Sequence, residues 1–254
     1  MKSIVAIAGN TYREAVRDKI LYLLIVFGFL SIVASKLLAF VSIGDELKII
    51  TDISLASISL FGALIAIFVG TSLLYKEIDK RTIYTILSRP IARYEFVLGK
   101  YLGLVSLIAV TTALMALFSA AYILLMGGAV NFIFVESVLL IYIKILLVTA
   151  FSILLSSLAS PILGAVIVLS GYVLGHATGI LIDLPPQFDD TLIKACMERF
   201  YFITPNLSNF DIWQEYANGM EISQSYVLWT VFYGLMYTGL ILYLATVAFE
   251  NKDL

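Results

Sequence analysis

Long apolar stretches dominate this chain and alternate with short polar segments. Each stretch is long enough for a helix to cross a bilayer, because a hydrocarbon core of about 30 Å needs roughly 20 apolar residues per crossing. Four stretches contain no charged residue and one contains only Lys36; they cover residues 20–43, 53–75, 101–135, 145–182 and 222–249. The pattern predicts an all-α membrane protein.

Two of these stretches are too long for a single crossing, and each contains a break. Gly127-Gly128 followed by Asn131 is typical of a turn. Pro161, which follows serines at 156, 157 and 160, ends one helix and begins another. We therefore predict one domain, 1–254, with six transmembrane helices. They are expected over residues 20–43, 53–75, 98–126, 136–158, 161–182 and 225–249.

The composition agrees with this prediction, since 61% of the residues are hydrophobic and 13% are charged, with a mean hydropathy of +1.00. Eleven of the 16 Lys and Arg residues fall on the side that holds both predicted termini, and four fall on the other. Because basic loops stay in the cytoplasm, we expect both termini and the loop 76–97 to be cytoplasmic and the loop 183–224 to be outside. The net charge of −2 gives no reason to expect a nucleic-acid partner.

The first 19 residues have the pattern of an amphipathic helix rather than of a cleaved signal peptide. Apolar side chains recur along one side, whereas Arg13, Glu14 and Arg17 lie mostly on the other. This pattern is typical of a helix that lies in the membrane interface. The alternative interpretation is a short solvated leader.

Few residues could carry catalytic or metal chemistry. The chain has one Cys and one His, so neither a Cys/His metal cluster nor an internal disulfide is expected. Ser170 and His176 would point to different sides of one helix. Gly99-Lys100 superficially resembles a phosphate-binding loop, but Tyr101 stands where Ser or Thr is required. We therefore expect no nucleotide site, no bound cofactor and no enzymatic activity in this chain.

The densest group of basic residues lies in the segment 76–100, KEIDKRTIYTILSRPIARYEFVLGK. This segment resembles the first cytoplasmic loop of the type-2 permeases of ATP-binding-cassette (ABC) transporters. The matching residues are Glu77, Arg81-Thr82, Leu87-Ser88-Arg89-Pro90, Arg93 and Gly99-Lys100. Residues 10–22 are similar to the N-terminal helix of the same family. With six predicted helices in order, the resemblance covers nearly the whole chain.

The loop also predicts a short rigid helix from its own residues. Thr82 is a suitable N-cap for a helix over 83–88, and Pro90 ends it. The resemblance implies a coupling helix that docks on an ATPase subunit. It assigns these residues to the ATPase-coupling loop: Glu77, Arg81, Thr82, Ile83, Ile86, Leu87, Arg89, Pro90, Arg93 and Lys100. The alternative is a surface-lying helix in a basic loop that docks on no partner.

Glycines form a smooth stripe on the fifth predicted helix. They are Gly164, Gly171, Gly175 and Gly179. Small residues at this spacing let two helices approach closely. The stripe is predicted to pack either within the subunit or across a dimer, and the family resemblance favours the dimer.

Two further features concern the membrane interior and the outer side. Lys144 is placed about 10 Å into the fourth predicted helix, from where its side chain can extend to the outer interface. The alternative is a polar contact in a translocation path. His176 is predicted to be a packing or cavity residue. The loop 183–224 is expected to form a lid over the exit.

Together with the resemblance, these features predict the permease subunit of an ABC exporter in the cytoplasmic (inner) membrane. The resemblance implies a homodimer associated with ABC ATPase subunits, which bind the MgATP. One alternative is an ATP-independent channel or secondary transporter, although the sequence has no visible internal repeat and almost no central charge. The other is a structural or assembly protein of the membrane.

Overall fold

The computed structural model describes residues 2–40, 46–79, 92–177, 205–213 and 222–250. These residues form seven α-helices and one short 3-10 turn and contain no strand, which confirms the predicted all-α fold. The helices are α1 (Lys2–Val16), α2 (Lys19–Ala39), α3 (Glu46–Asp79), α4 (Arg93–Leu125), α5 (Phe132–Leu158), α6 (Pro161–His176) and α7 (Gln224–Glu250). The 3-10 turn is Ser208–Phe210.

Five of the described helices are long and apolar enough to cross a membrane: α2, α3, α4, α5 and α7. The sixth predicted crossing corresponds to α6, which is apolar but has only 16 residues. It ends at His176 instead of residue 182, and residues 178–182 lie outside the described part of the chain. At 1.5 Å per residue, α6 is about 24 Å long, which is less than a typical hydrocarbon core.

Both predicted breaks are present. At the end of α4, Gly127 has a φ of 83°, a conformation that glycine adopts without steric cost. The amides of Gly127 and Gly128 donate to the carbonyls of Leu124 and Ile123 over 3.1 and 3.0 Å, which is the Schellman pattern of a helix end. Pro161 is at the first position of α6. A backbone N–H at this position would have no partner within the helix, so proline loses no hydrogen bond there.

α5 lies at the centre of the bundle and packs against α3, α4, α6 and α7. Its middle is buried on every side, from Ile143 through Ala150. By contrast, α2 and α7 keep large apolar side chains exposed on their outward faces, including Leu30, Leu37, Leu228 and Trp229. Apolar surface of this extent suits contact with lipid instead of water.

α1 packs along the first turns of α4, and two glycines of α4 allow the close approach. A Cβ atom at Gly99 would lie 2.7 Å from the Cβ of Ile7. A Cβ atom at Gly103 would lie 2.6 Å from the Cβ of Thr11 and 2.7 Å from the carbonyl oxygen of Ala8. The predicted amphipathic helix therefore buries one side on α4, while Arg13 and Arg17 on its other side are exposed.

We predict that Gly103→Ala loosens α1 from α4, because the added methyl group meets backbone that cannot move aside without shifting the whole helix. Overpacking of this kind costs about 1–3 kcal/mol, and trypsin should cut at Arg13 and Arg17 faster than in the wild type. Gly9→Ala in α1 is the matched control, since no atom lies within 4 Å of the built Cβ. Equal cleavage rates in Gly103→Ala and wild type would contradict the prediction.

Candidate functional site: a coupling end and a buried polar cluster

The predicted coupling helix falls between α3 and α4. Residues 80–91 lie outside the described part of the chain, so the structure does not test the positions of these members: Arg81, Thr82, Ile83, Ile86, Leu87, Arg89 and Pro90. Glu77 lies on α3 near its end at Asp79, and Arg93 begins α4. Both neighbours of this segment thus lie at the end of the bundle that carries α1, which we call the α1 end.

Arg93 contacts the last turn of α7. Its Nη1 donates to the carbonyl oxygens of Phe249 over 3.1 Å and of Glu250 over 2.8 Å. The final carbonyls of a helix have no partner within the helix and carry partial negative charge, so a guanidinium there is favourable. Beside this contact, the rings of Phe96 and Phe249 stack with centroids 5.6 Å apart. The start of α4 thus holds the end of α7.

Lys100 connects the same part of α4 to α1. Its side chain is 2% exposed, and its Nζ lies 3.5 Å from Oε2 of Glu14 and 5.8 Å from the centre of the Phe96 ring. A second polar contact joins the same two helices. The Ser3 hydroxyl of α1 donates a hydrogen bond of 2.7 Å to Oε2 of Glu95 in α4. Two residues assigned by resemblance to the ATPase-coupling loop, Arg93 and Lys100, therefore make contacts within this chain.

A buried polar cluster lies at the middle of the bundle, far from the α1 end. Lys144 of α5 is fully buried and donates from Nζ to Oδ1 of Asp211 over 2.6 Å. Nε2 of His176, the last residue of α6, is 3.1 Å from the same Nζ and 3.2 Å from Oδ2 of Asp211. We call these three residues the central cluster.

His176 is oriented by the helix that carries it. Its Nδ1 lies 2.9 Å from the carbonyl oxygen of Tyr172, a contact that requires a hydrogen on Nδ1. Nε2 then faces both the ammonium group of Lys144 and the carboxylate of Asp211. The Tyr172 hydroxyl lies 3.1 Å from the Ser59 hydroxyl of α3. The cluster consequently joins α3, α5 and α6 to the segment that contains Asp211.

The structure corrects the predicted position of the Lys144 side chain, which does not extend to the outer interface. α5 begins at Phe132, four residues earlier than predicted, so Lys144 lies about 18 Å along the helix instead of about 10 Å. A buried ammonium needs a partner, and Asp211 supplies it from 67 residues further along the chain. The geometry shows a polar contact inside the bundle, while the alternative interpretation, that this contact lies in a translocation path, stays a prediction.

Residues 205–213, which we call the inserted segment, belong to the predicted outer lid. Leu207, Phe210 and Ile212 in it are at most 2% exposed. The segment occupies the space beyond the short helix α6, where the Leu207 amide donates to the carbonyl of Gly175 over 2.9 Å. The rest of the predicted lid, including residues 183–204, lies outside the described residues.

Two cavities share Tyr172 as a wall, and the first of them adjoins the central cluster. The first, which we call the polar cavity, has a volume of about 240 Å³. Its lining includes the polar residues Asp52, Ser59, His176 and Asp211. The second has a volume of about 230 Å³, and its lining between α5, α6 and the inserted segment is almost entirely apolar. Within the described residues, no three His, Cys, Asp or Glu side chains are placed to hold a metal ion.

The predicted glycine stripe of α6 has a different environment at each position. A Cβ at Gly164 would make ordinary contacts with Thr71 at 3.5 Å, and one at Gly171 would have nothing within 4 Å. A Cβ at Gly175 would lie 2.7 Å from Cγ of Leu207 and 3.1 Å from the carbonyl of Pro205. Gly179 lies outside the described residues. Gly175 thus packs within the subunit, while packing of the stripe across a dimer stays a prediction.

Comparison with known protein families identifies one match that spans almost all of the chain. A family model described as "ABC-2 family transporter protein" matches residues 5–254. A search of curated individual proteins found no significant match.

The two glycines predict different outcomes for substitution by leucine. Gly175→Leu should displace the inserted segment and lower the yield of folded protein, because Leu207 and the Pro205 backbone already fill the space. Gly171→Leu should leave the folded monomer intact, because its position is open within the chain. If the stripe is a dimer interface, Gly171→Leu should reduce the dimeric fraction at least tenfold. Gel filtration with light scattering in detergent measures both effects, and a fully dimeric Gly171→Leu protein would exclude the stripe as a dimer contact.

Proposed function

The chain belongs to the ABC-2 transporter family, and on this premise we propose that it is the permease subunit of an ABC exporter. The family and the five long apolar helices make it a multi-pass membrane transporter component. In the proposal, a separate ATPase subunit binds and hydrolyses MgATP, and this chain provides the path for the substrate. The observation that carries the proposal is the family match over residues 5–254.

The proposed orientation places the α1 end in the cytoplasm, with both termini on that side. Eleven of the 16 Lys and Arg residues support this orientation. The ends of α3 and α7 and the start of α4 then face the ATPase. The central cluster and the inserted segment lie closer to the opposite, outer side. The membrane is proposed to be the cytoplasmic (inner) membrane.

The coupling surface is proposed to be the loop 80–91 together with the start of α4. Ile83, Ile86 and Leu87 would enter a groove of the ATPase subunit, and the movement would pass directly into α4. Because Arg93 holds α7 and Lys100 holds α1, these three helices should move together. In this proposal, Arg93 and Lys100 transmit the movement from inside the permease and do not themselves recognise the ATPase.

A two-fold dimer of the permease with two ATPase subunits completes the proposal. The exposed apolar face of α6 and the open position at Gly171 are available for contact with a second copy. The principal alternative, an ATP-independent channel or secondary transporter, would assemble and work without an ATPase. Co-purification from membranes distinguishes the two, because only the ABC permease should be recovered together with an ATPase subunit. Transport by this chain in a strain without any candidate ATPase would contradict the proposal.

We predict that Ile86→Asp and Leu87→Asp weaken ATPase binding at least tenfold. Each places a carboxylate in the proposed apolar contact, and a buried charge without a partner is costly. Thr85→Asp is the matched control, because in a helix over 83–88 it lies about 180° from the apolar face. Co-purification and stimulated ATP hydrolysis in reconstituted membranes measure the effect. If all three variants bind the ATPase equally well, the loop connects α3 to α4 but is not the docking surface.

Arg93→Ala should separate binding from coupling. ATPase binding should stay near the wild-type level, since Arg93 donates to Phe249 and Glu250 of the permease itself. Stimulated hydrolysis should fall several-fold, because α7 no longer follows α4. The Arg93→Lys variant should recover part of the activity through a single hydrogen bond. A loss of ATPase binding in Arg93→Ala would instead place Arg93 in the intermolecular contact.

A further inference from the structure

The inserted segment is held in the bundle by contacts of two kinds. Its apolar side chains fill gaps between helices, as Phe210 does beside Gly234 of α7, where a Cβ would lie 2.9 Å from the Phe210 ring. Its polar contacts are directional. They include the bond between the Asn206 amide and the Tyr233 hydroxyl, 3.0 Å long, and the ion pair of Asp211 with Lys144. The segment therefore lies against α5, α6 and α7 without being part of any helix of the bundle.

The ion pair is a contact of the inserted segment whose loss leaves a buried charge behind. Lys144 is fully buried, so removal of Asp211 would expose its ammonium group to an apolar surrounding without a counter-charge. Such a state is strongly unfavourable. Intermediate positions keep no hydrogen bond, because a hydrogen bond weakens steeply once its distance and angle leave the normal range, and the remaining attraction between the charges draws the segment back to the docked position. The segment should consequently have two positions, one docked and one released, instead of a continuous range.

His176 belongs to α6 and not to the inserted segment. Its Nδ1 lies 2.9 Å from the Tyr172 carbonyl of its own helix, a contact that does not involve Asp211, and its Nε2 lies 3.1 Å from Nζ of Lys144. A polar group of α6 would therefore remain next to Lys144 in the released position. The polar cavity of about 240 Å³ would open at the same time, because Phe210, Asp211, Ile212 and Trp213 form one of its walls.

We propose that Lys144, Asp211 and His176 form a latch that holds the inserted segment closed over the polar cavity, and that the transport cycle releases it. The second half of this statement rests on the proposed permease function, whereas the first half does not. A purely structural staple would make the same contacts but would not respond to nucleotide. The latch predicts a change in the exposure of the segment, which can be measured directly.

The experiment labels a single cysteine at Leu207, which is 2% exposed when the segment is docked. The chain has only one cysteine, Cys196, so Cys196→Ser with Leu207→Cys gives a single reporter. A membrane-impermeant maleimide is added from the outer side to the complex with its ATPase in membrane vesicles. In the latched protein the labelling rate should be low without nucleotide and should rise at least tenfold with a non-hydrolysable ATP analogue.

The test variant is Lys144→Met with Asp211→Asn, because it removes both charges and leaves neither one buried alone. Labelling at position 207 should then be at least tenfold faster than in the reporter protein without nucleotide. Lys100→Met is the matched control, since Lys100 is the other buried lysine of the described residues and its partner Glu14 lies at the α1 end. Without nucleotide, the Lys100→Met variant should label at the reporter rate, because the movement assigned to Lys100 belongs to the nucleotide-driven step of the proposed function.

The outcomes separate the latch from the proposed function. Equal labelling of the double variant and the reporter, without nucleotide, would overturn the latch. Faster labelling in the double variant combined with no response to nucleotide would support the latch and contradict ATP-driven release.

A second measurement retains the ion pair and does not depend on the folding of the double variant. Gly175→Cys with Leu207→Cys, in the Cys196→Ser background, places a Cβ 2.7 Å from the position of Leu207 Cγ, close enough for a disulfide to be formed by oxidation. The locked complex should lose stimulated ATP hydrolysis, and a reductant should restore it. Leu207→Cys alone, in the same background, is the control for oxidation. Undiminished stimulated hydrolysis in the locked complex would overturn release of the segment as part of the cycle.

Discussion

The burial of Lys144 is the constraint around which the middle of this structure is organised. A lysine near the centre of an apolar helix cannot stay charged without a counter-ion, and none of the residues on its own helix nearby provides one. Asp211 must therefore return to the middle of the bundle, and the short helix α6 leaves the space that it enters. The pairing sets the depth of the inserted segment and brings Asp211 next to the end of α6 at His176 and to the polar cavity.

The α1 end is organised by a different principle, in which close backbone approach replaces charge pairing as the main determinant. Gly99 and Gly103 let α1 lie directly on α4, and Lys100 then meets Glu14 between them. Because Arg93 holds the end of α7 in the same turns, the start of α4 is a junction of three helices. A force applied to the loop before α4 acts on this junction and not on a single helix.

The sequence predicted the fold from apolar length, because each crossing must satisfy its own backbone hydrogen bonds. It also located both helix breaks, since Gly127 and Pro161 act locally. It could not place Lys144, for two reasons. Helix α5 starts four residues earlier than the apolar pattern indicates, and the partner of Lys144 lies 67 residues away on a segment without periodicity. The sequence could not predict the close packing at Gly103 either, because a glycine followed by apolar residues has the same pattern whether its neighbour is lipid or another helix.

Most other polar groups in the interior of the bundle do not determine how the helices fit together. The hydroxyls of Thr149 and Ser152 on α5 donate to carbonyls four residues earlier on the same helix, so they are satisfied in any arrangement of neighbours. Ser156 is an exception, because it donates to Thr71 of α3 over 2.8 Å and thereby aligns α5 with α3. The Tyr101 hydroxyl of α4, which donates to the Leu146 carbonyl of α5, and the contact between Ser59 of α3 and Tyr172 of α6 also join two helices. Lys144 differs from all of these in one respect, because it joins a helix to a segment outside the helices. Contacts between two helices fix the bundle, whereas the contact of Lys144 fixes the position of the inserted segment within it.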